Sequence, residues 1–220
     1  PRNRGACEGT QGRHLAALRG DALTAIVGTT SNAMSFHPAT LSRLWALTGQ
    51  ALPDDGQEAF NSHFDAIGLN LSWPLKPSGY DWCAPSNVLQ FAQTGGDGVH
   101  FGLLLLDDML SEDSPVVMTT PMSLHENDTN FVVGENLRDF LALGCRRGYF
   151  FLDGLAHARE SLLNELADTE FGEHVCEEQR ILLTNMSQSF NLKPWGARVE
   201  ERLKWLKDEF HSFLAPPAAP

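Results

Sequence analysis

Residues 88–106 read Val-Leu-Gln-Phe-Ala-Gln-Thr-Gly-Gly-Asp-Gly-Val-His-Phe-Gly-Leu-Leu-Leu-Leu, and the fold class turns on how this run reverses direction. Val88–Ala92 and Val99–Leu103 are β-prone, and Thr94-Gly95-Gly96-Asp97-Gly98 lies between them. Glycine enters φ > 0 at no steric cost, so a glycine-rich turn between two β-prone runs predicts a hairpin. Leu103–Leu106 prolongs the second strand as a buried run, and Asp107-Asp108 ends it. Strands joined this tightly are antiparallel, because a parallel pair needs a long crossover.

Working outward, Ser114-Pro115 leads into a third strand, Val116–Met118, closed by Pro121. A polar loop from Ser123 to Asn130 leads to a fourth, Phe131–Val133. The period then changes to 3.6. Gly134-Glu135-Asn136 opens a helix through Leu137, Phe140, Leu141 and Leu143, stopped by Gly144. Further helices are predicted over 152–166, 177–183 and 199–214. In the last, Leu203, Leu206, Phe210 and Leu214 form the buried stripe, and Glu200 and Lys204 pair four residues apart on a solvated face. Upstream, Leu41, Leu44, Trp45 and Leu47 mark a short amphipathic helix between Pro38 and Gly49, and Pro53–Gly56 a turn. Phe60, Phe64 and Ile67 recur at helical spacing. Residues 69–87 hold three prolines, two tryptophans and a tyrosine, which predicts an ordered irregular segment. Helices, then an antiparallel sheet, then helices make an α+β fold: a mixed, mainly antiparallel curved sheet flanked by helices, with a helical C-terminal extension.

The 220 residues fit one domain, assigned to 34–214, with 215–220 as a disordered tail. Residues 1–33 carry four arginines against Glu8 and Asp21, and contain no aromatic side chain. Ser31-Asn32-Ala33 before Met34 resembles the remnant of tag cleavage in a recombinant protein, which would place the natural start at Met34. No polyhistidine precedes it, and the segment is assigned no function. The apolar run Ala22–Val27 is shorter than a secretory h-region. Cys7, Cys83, Cys145 and Cys176 form no CxxC pair, so free thiols in a reducing, cytoplasmic setting are expected. The net charge of −12 disfavours phosphate backbones and anionic membranes and suits a basic protein partner.

Thr94–Gly98 has three chemical readings besides a hairpin turn. A phosphate cradle needs a following helix and usually a lysine. The cyclic-dinucleotide synthase signature needs an acidic residue after Gly-Gly-Asp, where Gly98 stands. A calcium loop needs more acidic neighbours than Asp97 has. Turn geometry alone accounts for the glycines. His125-Glu126 begins like the zinc-hydrolase HExxH but lacks the second histidine, and His174-Val175-Cys176 has no further ligands at suitable spacing. No nucleophile elbow is present. No cofactor or metal is expected.

The runs VLQFAQTGGDGVHFGLL (88–104), PVVMTTP (115–121) and NFVVGENLRDFLALGC (130–145) resemble the SUKH superfamily, which includes fungal cell-wall-assembly regulators and bacterial immunity proteins that neutralise toxins. Phe91-Ala92, Gly95–Gly98 and Asn136–Leu141 carry the likeness, and Leu52-Pro53-Asp54-Asp55 resembles the turn near the start of such domains. It covers about residues 41–145, roughly half the chain. The 69–87 insert and the length of helix after Cys145 depart from the pattern. The resemblance implies a curved sheet flanked by helices, serving protein–protein contact without catalysis.

The leading expectation is therefore a non-catalytic binding or regulatory protein of the immunity type. Its partner-binding candidates are Trp73, Tyr80, Trp82, Asp97, His100, Asp107 and Asp108, since exposed Trp and Tyr anchor interfaces. The same aromatics would equally serve to close the core. A second expectation, a small hydrolase or nucleotide-acting enzyme, requires Asp97, His100 and Asp107 to converge on one pocket. A third is a structural or oligomer-forming protein.

Overall fold

A computed structural model describes residues 37–54, 56–123 and 129–217. The readings of residues 1–33, of His125-Glu126 and of the last three residues lie outside them. Six strands form one sheet in the order β1 (Ala59–Asn61), β2 (Asn70–Pro77), β3 (Val88–Gln93), β4 (His100–Leu104), β5 (Val116–Thr119) and β6 (Asn130–Gly134). Every neighbouring pair is antiparallel. This is an α+β fold, and the sheet is a plain meander. Helix α1 (Ala39–Ala46) precedes it, and α2 (Leu137–Gly144), α3 (Gly154–His157), α4 (Arg159–Ala167), α5 (Glu177–Phe190) and α6 (Val199–Phe210) follow.

Alternation along the strands sorts the core into two clusters. Phe101, Leu103, Val116, Met118 and Val133 face the larger one, with Leu41, Leu44, Trp45, Phe140, Tyr149, Leu183 and Met186 from the helical layer. Leu104, Val117 and Val132 face the other way and meet Val88 and Leu206 of α6. Because both faces are covered, β4 is buried at every position and reads as a continuous apolar run. Gly102 is required there: a Cβ would fall 2.4 Å from Val88 Cγ1 and 3.0 Å from the Leu89 carbonyl oxygen.

The α2 start forms as its sequence predicts. Asn136 caps the helix by accepting from Asp139 N–H at 2.9 Å. Asp139 in turn accepts from Glu135 N–H at 3.1 Å, from Trp195 Nε1 at 3.1 Å and from Arg202, paired at 2.9 Å. One carboxylate thus ties the C-terminal helices to the sheet-to-helix turn.

Five expectations need correction. Residues 60–67 are not a helix but β1 followed by a 3-10 turn over Asp65–Ile67. Buried Asn61 diverts the chain, accepting from His63 N–H at 2.9 Å and donating to Thr48 and Gln50. The 69–87 segment is irregular only in its second half, since residues 70–77 are β2, with Leu71 and Trp73 turned inward. Ala158 (φ −139°, ψ 38°) breaks the predicted 152–166 helix into α3 and α4. Helix α5 runs to Phe190 instead of stopping at 183, because Met186 and Phe190 continue its buried stripe. At the C-terminus, Asn87 accepts from Ala215 N–H and donates to the Phe213 carbonyl, both at 2.9 Å, so the start of the predicted tail is held. Cys83, Cys145 and Cys176 are free thiols. Among the described residues no helix is long and apolar enough to cross a membrane.

Candidate binding site

The β3–β4 turn closes as a backbone reversal. Thr94 N–H donates to the Val99 carbonyl at 3.0 Å and Val99 N–H to the Gly96 carbonyl at 3.1 Å. Gly95, Asp97 and Gly98 take positive φ. Tyr80 lies on the turn, and a Cβ at Gly98 would sit 2.5 Å from its hydroxyl oxygen. The Tyr80 ring also stacks on His100, with centroids 5.3 Å apart and planes at 14°. His100 is buried, and its Nδ1 is 2.7 Å from the Gly98 carbonyl oxygen. That oxygen can only accept, so Nδ1 carries the proton and Nε2 is a buried acceptor. Nε2 has no hydrogen-bond partner among the described residues. Burial pushes the imidazole pKa below its ordinary value, and the Gly98 carbonyl only partly offsets this. His100 and Tyr80 therefore lock the hairpin, and His100 presents nothing to a partner.

The proposed hydrolytic trio is not assembled. His100 opens β4 and Asp107 lies beyond its far end, some 20 Å away along an extended chain. Asp107 and Asp108 both take positive φ in a two-residue reversal closed by the Leu106–Met109 bridge, and both side chains are exposed. Two consecutive residues at φ > 0 make this a primed hairpin turn, a conformation that aspartate tolerates. Trp73 is a second correction. It is 3% exposed, stacks edge-on against His37 at 4.5 Å and donates Nε1 to the Asp54 carbonyl. Its inward place on β2 makes it core, so it is unavailable to a partner.

Asp97 instead meets groups far away in sequence. With Asp153 and His157 it lines a cavity of about 240 Å³ that also includes Thr120 and Met122. Burial raises the Asp153 carboxyl, and the Asp97 charge raises it further, against the pull of His157 and the Gly154 N–H. Proton transfer between the two would need hydrogen-bond reach, and among the described residues no hydrogen bond joins Asp153 to His157. Hydrolysis would also need a nucleophile in reach of His157, and among the described residues no hydrogen bond joins His157 to Thr120. No group of three or more His, Cys, Asp or Glu converges as a metal set among the described residues.

Trp82 is the aromatic candidate most open to solvent, at 65% exposed. Its turn is fixed: Cys83 and Ala84 N–H donate to the Tyr80 carbonyl at 3.0 and 2.9 Å, and the Cys83 carbonyl accepts from Asn130 Nδ2 at 2.8 Å. The indole stands at a cavity of about 530 Å³ lined also by Pro121, Asn130, His211 and Leu214. Asn130 and His211 belong equally to a second cavity of about 330 Å³ along β6 and α6. This one has Phe131, Val132, Leu155 and Leu203 as its apolar lining and Arg159, Lys204 and Lys207 as its cations, with Glu200 the lone carboxylate. The two cavities adjoin where Asn130 and His211 line both, and together they form the groove beside Trp82.

The cationic residues were legible only as an exposed helical face. Lys204 and Lys207 of α6 and His211 just past its end recur at three and four residues, but whether such a face meets water or a groove depends on what packs beside it. Lys204 does not pair with Glu200. The ion pairs of α6 among the described residues belong to Arg202, which holds Glu135 and Asp139. Searches against family models, curated proteins and solved structures return no match to the chain.

Proposed function

We propose that the protein is a non-catalytic protein-binding module, regulatory or immunity-like in kind, that meets its partner through the surface around Trp82. One observation carries this reading. A large aromatic side chain is held out in solvent on a turn whose main chain is already hydrogen-bonded, at the lip of a sizeable groove. Tryptophan is over-represented among residues that dominate binding energy. A residue ordered before binding loses little further freedom on association. The SUKH-like motifs point the same way, as an analogy of fold.

The test is capture from the source cell, or co-expression with the products of adjacent genes, using wild-type protein and Trp82→Ala. Trp82 is exposed, so the variant folds, as circular dichroism will verify. One stoichiometric partner is expected with wild type, bound at least tenfold more weakly by the variant. Absence of any stoichiometric partner counts against the reading, and a partner indifferent to Trp82→Ala moves the surface elsewhere.

A further inference from the structure

The groove that starts at Trp82 runs against the charge of the molecule. The chain as a whole carries −12, which by itself favours a basic partner. Yet Arg159, Lys204 and Lys207 gather around one cavity, all exposed and none in an ion pair among the described residues. These cations are available to a ligand. Arg202 on the same helix is not, being engaged with Glu135 and Asp139.

We propose that this groove receives an extended acidic segment of a protein partner, carboxylates on Arg159, Lys204 and Lys207 and an apolar side chain against Trp82 and Leu214. The inference rests on the protein-binding reading and gives its partner a chemistry. Lys204 and Lys207 lie about 4.5 Å apart along α6 at 1.5 Å per residue, and His211 stands just beyond its end. Alternate side chains of an extended segment are about 6.6 Å apart. Two carboxylates separated by one residue therefore reach Lys204 and Lys207 at once, given the length of the lysine side chains. The apolar lining from Phe131, Val132, Leu155 and Leu203 accommodates the carbon stem of the segment. His211, shared by the two cavities, lies where the acidic part passes into the apolar part.

Two other occupants fit less well. Single-stranded nucleic acid also uses cations beside an aromatic, but it carries a phosphate at every nucleotide and is tracked by a longer cationic groove than Arg159, Lys204 and Lys207 provide. A second copy of this chain would bring its own Arg159, Lys204 and Lys207 against these if it docked face to face about a two-fold axis.

The experiment is fluorescence anisotropy with full-length protein and three labelled probes: the peptide Phe-Gly-Asp-Glu-Asp-Glu, its amide counterpart Phe-Gly-Asn-Gln-Asn-Gln, and an eight-residue oligothymidylate. The proteins are wild type, K204E/K207E and Trp82→Ala. All three substituted positions are exposed, so each variant is expected to fold. Saturable binding of the acidic peptide is expected, weakened at least tenfold by the double charge reversal and by added salt, and weakened by Trp82→Ala. The amide counterpart should bind at least tenfold more weakly. The proposal is overturned by any of the following: no binding of the acidic peptide at millimolar concentration, equal binding of the amide peptide, indifference to K204E/K207E, or tighter binding of the oligonucleotide. A dimer in sedimentation that K204E/K207E dissolves also overturns it, by assigning the groove to a second copy. Captured partner that is lost with Trp82→Ala but kept with K204E/K207E sinks the acidic segment alone and leaves the protein-binding reading standing.

Discussion

Acidification should loosen the central hairpin through one side chain, His100. In the folded chain its ring is 2% exposed, sandwiched under Tyr80, with Nδ1–H committed to the Gly98 carbonyl and Nε2 facing no partner among the described residues. Protonating Nε2 would bury a charge without an acceptor, so the folded pKa is depressed below the ordinary 6.5, burial being the main cause. In the window from 6.5 down to the depressed folded value, the unfolded chain binds a proton that the folded chain refuses. Stability is then fully present above 6.5 and falls as pH drops through this window. One proton sets the steepest slope at about 1.4 kcal/mol per pH unit. The comparison variant is His100→Phe, which keeps a ring under Tyr80 but cannot titrate. It loses the bond to Gly98, worth about 1 kcal/mol, and also removes the unpartnered nitrogen, so near pH 7.5 it should lie within about 1 kcal/mol of wild type. Urea unfolding followed by tryptophan fluorescence at half-unit steps from pH 8 to pH 5 gives the difference curve. The variant should gain on wild type progressively below pH 6.5. A difference that stays flat across that range would show that His100 takes up its proton in the folded state, and the argument from burial would be wrong.

The other predictions address the packing and the cap. Gly102→Ala drives a Cβ to 2.4 Å from Val88 Cγ1 and should cost about 1–3 kcal/mol; adding Val88→Ala should recover part of this, and strict additivity in urea midpoints would refute the clash. Leu206→Ala removes the fully buried contact of α6 with the second face of the sheet, at about 2–5 kcal/mol; a loss below about 1 kcal/mol would mean that α6 is not part of the cooperative unit. Asn136→Ala deletes the α2 cap for about 1 kcal/mol, with Asn136→Asp restoring most of it. Asp153→Asn should raise the thermal midpoint near neutral pH. A folded carboxyl whose pKa is raised contributes stability that is complete below the ordinary 3.8 and lost as pH rises through the folded value, so the variant's advantage should vanish in acid.

How far the sequence carried the reading follows from what each signal depends on. The β3–β4 hairpin, the two strands after it and the α2 cap were legible because turn and cap chemistry is local: Gly95 and Gly98 adopt the positive φ that glycine permits, and Asn136 accepts from a residue three places on. Residues 60–67 misled because Phe60, Phe64 and Ile67 are spaced like a helix face, whereas the chain there is shaped by the buried amide of Asn61 and by pairing with β2. Neither is visible in a period. Trp73 and Trp82 show the same limit for the site. Both stand in one Pro- and Trp-rich segment, yet the first is 3% and the second 65% exposed, because β2 turns alternate residues inward and the turn after Tyr80 does not.

The candidate site was harder still, since its parts come from places that composition cannot bring together. Asp107 is close to Asp97 and His100 in sequence but separated from both by the length of β4, while Asp97, Asp153 and His157 are distant in sequence and share a cavity. An extended strand carries the residues at its two ends apart, so nearness in sequence across β4 argues against convergence. The same geometry explains why net charge misleads about the groove. An excess of carboxylates spread over the surface sets the far field, but a ligand within a few ångströms meets the local set, which here is Arg159, Lys204 and Lys207 against Glu200. At ordinary ionic strength the screening length is about 8 Å, so carboxylates farther from the groove than that contribute little to what a docked ligand meets. The local sign therefore governs what can dock there, and the overall sign governs only what approaches from a distance.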